Sequence, residues 1–312
     1  MKYIPFINTI KIRENFTQYI RSFSYREAIT GYAFIAPAGV IIIFFVIIPI
    51  IFSFGMSFYK WELIKGVKIF IGLGNYARLL KDQIFRRALF NTFYFVVGSV
   101  PLSVIPGLIL AFLVDQKWFK GKSMVEVIYF LPVVIGWVEI AMVWRWLFNP
   151  NYGLFNYILS IIGLPGQHWL GNPQLAMPSI IMVHAWKMLG YNMILFLAGL
   201  RNIPELYYEA AEIDGASRWS IFRYITLPLL KNATFLVLVL NVIYSFQVFP
   251  QSFIMTQGGP YYATYVVVYN IYNTAFQFYK LGYAASMAVV LFGIILFFTI
   301  LQKRFFGEVV EY

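Results

Sequence analysis

Six stretches of this chain, 32–54, 88–114, 125–148, 178–200, 233–255 and 284–301, are apolar for long enough to cross a lipid bilayer. At 1.5 Å per residue, roughly 20 helical residues span a hydrocarbon core of about 30 Å. The expected fold is therefore all-α, a polytopic membrane protein with six transmembrane helices. Composition agrees: the 312 residues are 61% hydrophobic and 12% charged, against about 25% charged in soluble domains. Cysteine is absent, which excludes disulfides, iron–sulfur clusters and thiolate metal sites. His168 and His184 are the only histidines, too few for a conventional histidine metal cluster, so no metal is expected.

The net charge of +11 is read as topology rather than nucleic-acid binding, because short basic connections stay cytoplasmic. Lys117, Lys120 and Lys122 lie between the second and third runs. Arg201, Arg218, Arg223 and Lys231 lie between the fourth and fifth, and Lys303 and Arg304 follow the sixth. The 149–174 and 256–282 connections carry only Lys280. Both termini are accordingly expected in the cytoplasm, with a tail over 1–31, a permease domain over 32–304 that includes the loop 201–232, and a tail over 305–312. One segment runs against the pattern. Residues 59–87 belong outside, yet hold Lys60, Lys65, Lys68, Arg78, Lys81, Arg86 and Arg87 against Glu62 and Asp82. They read as solvated charges on an amphipathic entry helix, or as a surface receiving a partner protein or acidic solute.

Residues 205–228, ELYYEAAEIDGASRWSIFRYITLP, form an acidic island: Glu205, Glu209, Glu212 and Asp214 are four of only 13 acidic residues. Pro204 suits the first helical position, the acids complement the positive helix end, and Gly215 permits a left-handed end. The pattern Glu209-Ala210-Ala211, three residues, Gly215, nine residues, Ile225, one residue, Leu227-Pro228 resembles the EAA loop of ABC-importer permeases. Gly72-Leu73-Gly74-Asn75-Tyr76, Asn91-Thr92, Phe130-Leu131-Pro132, 196–200 (FLAGL) and Thr256-Gln257-Gly258-Gly259-Pro260 with Thr264 are similar to the carbohydrate-uptake members, specifically those like the larger maltose-transporter permease. The chain departs at Phe249-Pro250, where the family often has an Asp after an aromatic.

The resemblance implies a type I ABC-importer transmembrane subunit in a bacterial or archaeal plasma membrane. Its partners would be a second homologous permease, two ATPase subunits and an extracytoplasmic solute-binding protein. ATP and Mg would belong to the ATPases, and this chain would bind no cofactor. Glu205, Glu209, Ala210, Ala211, Asp214 and Gly215 would form the coupling element that enters an ATPase cleft. The implied solute is a sugar or oligosaccharide, with glycerol phosphates and acidic oligosaccharides as alternatives. An ion- or proton-coupled carrier is the competing class. The chain has no catalytic motif of its own: Gly121-Lys122-Ser123 ends like a phosphate-binding loop, but position 116 is glutamine where that loop requires glycine.

Ionisable groups inside spans are candidate sites. Counted along straight helices, Glu139 and Lys187 reach depths within about 5 Å of one another, which predicts an ion pair that serves either structure or solute. Trp144, Asn192, Asn241, Tyr244 and Gln247 complete the candidate solute path, either contacting sugar rings and hydroxyls or joining helices. Pro101, Pro106 and Pro132 mark expected kinks.

Overall fold

The computed structural model describes residues 25–306 and divides into two units, 1–55 and 56–312. The tail residues 1–24 and 307–312 lie outside the described residues. In the first unit, α1 (Tyr25–Ile42) continues through a π turn (Ile43–Ile47) into α2 (Ile48–Met56), which ends just across the unit boundary. Residues Ile29–Met56 have the length and hydropathy of a span. The helix thus starts inside the stretch read as the 1–31 tail.

The second unit opens with an element that sequence periodicity did not predict. Residues expected to form an entry helix instead form an antiparallel hairpin, β1 (Tyr59–Glu62) and β2 (Val67–Phe70), followed by α3 (Gly74–Lys81). Gly66, at φ +61°, turns the chain. Trp61 faces Lys68 across the register, and the Lys68 ammonium lies 4.4 Å from the indole centroid. Part of the basic excess is therefore stacked on aromatic rings, a favourable arrangement for a cation. Asn75, within the Gly72–Tyr76 stretch, donates to the Ser57 and Tyr59 carbonyls at 2.8 and 2.9 Å and ties α3 to the hairpin.

The remaining spans are α4 (Gln83–Asp115), the pair α5 (Lys122–Val134) and α6 (Trp137–Leu147), α8 (Pro173–Arg201), α12 (Lys231–Phe246) and α14 (Leu281–Phe306). The short α7 (Leu154–Ile161) lies between α6 and α8. With each bent pair taken as one, the described residues contain six candidate spans. Two depart from straight rods. The third bends by 101° between α5 and α6, where Pro132 precedes the break and Gly136 caps α6. In the fifth, α12 follows at 65° the helical stretch made of α10 (Arg218–Ile221), a π turn (Phe222–Thr226) and α11 (Leu227–Leu229). It ends at Phe246 rather than at 255, ahead of Pro250. Pro101 and Pro106, by contrast, sit within an unbroken α4.

Two hydrophobic clusters fill the bundle. One, with Phe95, Phe148, Ile180 and Phe246, lies towards the hairpin end; the other, with Ala111, Met193, Phe196 and Leu230, lies towards the opposite end. Helices α4 and α8 pack closely because glycine removes the side chain at the crossing. A Cβ at Gly107 would stand 2.8 Å from the Asn192 Cβ, the small-residue contact that membrane helices use in place of hydrophobic driving force. Asn91 and Thr92 fasten the loop before α13 (Val267–Tyr272). Asn91 Nδ2 donates to the Tyr262 and Tyr265 carbonyls at 2.7 and 2.9 Å, and the Val267 N–H donates to Thr92 Oγ1 at 3.0 Å.

Candidate functional site

The acidic island folds as α9 (Glu205–Ile213), with Pro204 as its N-cap rather than its first helical residue. Helical spacing divides it into three rows. Tyr208 and Ala211 face the bundle: Ala211 is 8% exposed, and Thr226 Oγ1 lies 3.4 Å from the Tyr208 hydroxyl. Glu205, Glu209 and Glu212 form an exposed acidic edge beside them. Leu206, Ala210 and Ile213 form the outward row, and Ile213 is 85% exposed. Ala210 and Ala211 therefore belong to different rows, the first exposed and the second buried.

Gly215 adopts φ +75°. Its N–H donates to the Glu212 carbonyl at 3.1 Å, and that of Ala216 to the Ala211 carbonyl at 2.9 Å. This is the paired C-terminal closure in which a left-handed glycine ends a helix. Asp214 is the exposed C-cap. One ion pair ties the end of α8 to α5, Arg201 with Glu126 at 2.8 Å, and a second braces α9 itself, Lys117 with Glu205. The hydrogen bond between the latter two holds the Glu205 carboxyl below its ordinary range and the Lys117 ammonium above its own. Both groups are charged at neutral pH. Sequence reading assigned Glu205 to an external partner; the structure gives it a partner within the chain. Glu126 and Arg201 lie 75 positions apart, and no local pattern announces that pairing.

Among the span residues, Lys187 and Glu139 are not within ion-pair distance. Lys187 does lie near the depth of Glu139, against Ile135 and Trp137, but the Glu139 carboxylate turns back over Gly136 instead of meeting it. Buried Lys187 instead donates to the carbonyl of Ile135, the C-cap of α5, and its ammonium lies 4.3 Å from the Trp137 ring centroid. It supplies a donor where the break leaves a helix-end carbonyl unpaired. Exposed Glu139 lies in the first turn of α6, its carboxylate folded over Gly136: a Cβ there would meet Glu139 Oε2 at 2.1 Å. A carboxylate at a helix N-terminus complements the macrodipole.

Asn192 and Asn241 are fully buried and satisfy one another. Asn241 Nδ2 donates to Asn192 Oδ1 at 2.6 Å, Asn192 Nδ2 to Asn241 Oδ1 at 3.2 Å, and Ser103 Oγ to Asn241 Oδ1 at 3.0 Å. Of the two roles foreseen for them, this is the joining of helices, here α4, α8 and α12. Tyr244 and Gln247 are exposed, with the Tyr244 ring 6.4 Å from that of Tyr191. Half-buried Trp144 packs on Phe155 and Trp186. One further polar pair escaped sequence reading. Buried Gln251 Nε2 lies 3.2 Å from His184 Nδ1, and Trp137 stacks on His184 at 5.0 Å. The two residues are 67 positions apart, beyond any local signal.

Residues 71–309 match the family described as binding-protein-dependent transport system inner membrane component. The chain belongs to this family. It is 37% identical to the probable ABC transporter permease protein YurN of Bacillus subtilis, over 90% of this chain and 97% of that one. It is also 37% identical to the trehalose/maltose transport system permease protein MalF of Thermococcus litoralis, over 90% of this chain and 94% of that one. Among solved structures, a bacterial alginate ABC transporter in complex with an alginate pentasaccharide-bound periplasmic protein superposes with a TM-score of 0.78 at 26% identity, covering 91% of this chain and 98% of the other. The fold is thus that of an ABC-importer transmembrane subunit, integral to the membrane.

Proposed function

We propose that this permease carries a sugar or oligosaccharide inward by alternating access, driven by ATP hydrolysed in two partner ATPase subunits that hold the ATP and Mg. A second, homologous permease completes the passage, and an extracytoplasmic solute-binding protein delivers the solute. Both termini and α9 lie in the cytoplasm, and the hairpin lies outside. The observation that carries the reading is the three-row construction of α9. One row anchors it to its own chain, one is acidic, and one is apolar and exposed. A compact helix closed at Gly215 and braced at Glu205 is suited to transmit a push without deforming. Glu209 is positioned for a charge contact with an ATPase, while Ala210 leaves room for close approach.

Relatives named for trehalose/maltose, lactose and arabinooligosaccharides support carbohydrate as the solute class. Trp144, Tyr244 and Gln247 are the surfaces that would meet it, and Lys187 and Glu139 flank the bend. Asn192 and Asn241 support the path from behind by holding the helices in register.

The test is Gly215→Val in the complete importer reconstituted in proteoliposomes. Nothing lies within 4 Å of a Cβ at this position, so the cost is conformational, about 1–2 kcal/mol for an L residue in the left-handed region. The expected outcome is normal membrane insertion and assembly, with ATP hydrolysis no longer converted into uptake. Wild-type uptake per ATP would sink the lever role. Gradient-driven uptake by this chain alone would sink the importer reading in favour of a secondary carrier.

A further inference from the structure

A recess of about 350 Å³ opens at the hairpin end of the bundle, where the end of α6, the connection before α8 and the turn Ser252–Thr256 converge. That volume lies in the range of small-ligand sites. Its polar lining is rich in donors. Arg145 spends one N–H on the Ile254 carbonyl, 3.3 Å from Nη1, and no carboxylate lies within ion-pair distance of it among the described residues. Exposed His168 stands on the opposite chain segment. Asn149 commits its Oδ1 to the N–H groups of Asn151 and Tyr152, at 2.9 and 3.4 Å, and so presents its amide donor. Gln257, exposed beside them, holds a left-handed φ of 51°, uncommon for a residue other than glycine.

The wall is rigid and aromatic. Trp169 Nε1 donates to Asn156 Oδ1 at 2.9 Å, and the indole packs against buried Phe148 at 5.7 Å. A fixed aromatic surface beside a guanidinium fork and amide donors matches a sugar ring bearing a carboxylate. The fork pairs with a planar carboxylate through two parallel hydrogen bonds. The same end of the molecule carries Lys60, Lys65, Lys68, Arg78, Lys81, Arg86 and Arg87, a field that concentrates anions near the surface.

We infer that this recess is a reception subsite for a carboxylated saccharide, with Arg145 as the carboxylate-binding group and His168 as a second hydrogen-bond donor. The inference rests on the importer reading for its outward orientation and goes beyond it in naming the charge of the solute.

The complete importer in nanodiscs, without its binding protein, is titrated calorimetrically with trigalacturonate and with neutral maltotriose. In parallel, ATP-driven uptake is followed in proteoliposomes. Trigalacturonate is expected to bind at least about tenfold more tightly than maltotriose. Arg145→Gln is expected to remove that preference, Arg145→Lys to restore part of it, and His168→Gln to weaken trigalacturonate by a smaller factor. Equal affinity for the two probes in the wild type would overturn the inference. So would an Arg145→Gln variant that loses both probes alike, the mark of a structural role through Ile254. Variants that keep wild-type saccharide affinities but no longer retain the binding protein in a separate pull-down with that protein would overturn it in favour of a protein contact. Absence of ATP-driven uptake would overturn only the importer reading, because the binding titration requires no ATP.

Discussion

Asn192 and Asn241 look identical in sequence to residues that would meet a sugar: uncharged, polar and inside apolar helices. What separates the two roles is which neighbour each faces, and that depends on contacts across 49 positions. Their mutual hydrogen bonds make a quantitative expectation. Asn192→Ala or Asn241→Ala leaves a buried partner amide unsatisfied, at about 1–3 kcal/mol. Because each loss includes the other, the double variant should cost less than the sum, with a coupling on the order of 0.6–1.7 kcal/mol, as for other hydrogen bonds within membranes. Thermal unfolding of the purified protein in detergent checks this, and additive losses would show that the pair is not coupled. Gly215 was legible because left-handed backbone leaves a composition signature. Lys187 was legible as unusual but not as a cap, since the carbonyl that it meets exists only once the third span has bent.

At the level of elements, hydropathy located the spans well and misjudged their continuity. Pro101, Pro106 and Pro132 carry the same local signal, yet only the last lies near a break, where Gly136 follows and Lys187 supplies the missing donor. The hairpin was hidden because its charges outweigh the alternation of Tyr59, Trp61, Val67 and Ile69, and because the stacking of Lys68 on Trp61 is a cross-strand event. The contact between α5 and α8 offers a sharp test. A Cβ at Gly190 would lie 1.8 Å from the Tyr129 carbonyl oxygen, whereas one at Gly293 on α14 meets nothing within 4 Å. Gly190→Ala should therefore separate two backbones and cost at least about 1–3 kcal/mol. Gly293→Ala should be neutral or gain up to about 1 kcal/mol from helix propensity. Equal melting temperatures for the two variants would contradict the close approach.

For the whole molecule, the distribution of positive charge gave a consistent orientation apart from the hairpin, and the absence of native cysteine makes that orientation easy to test. Lys65→Cys, in the hairpin turn, should react with a membrane-impermeant maleimide in intact cells or spheroplasts. Glu212→Cys, on α9, should react only after permeabilisation. The reverse pattern would invert the topology and place the EAA loop on the wrong side for an ATPase. The bend in the third span also constrains how the bundle can change shape. Lys187 holds the Ile135 carbonyl, and one turn further along α8 Gly190 lies against the Tyr129 carbonyl. Axial sliding of α8 past α5 would strip an ammonium of its acceptor and drive a backbone into a carbonyl at the same moment. The two helices are pinned together against sliding. A torque applied at the loop after α8 would therefore turn them as one piece.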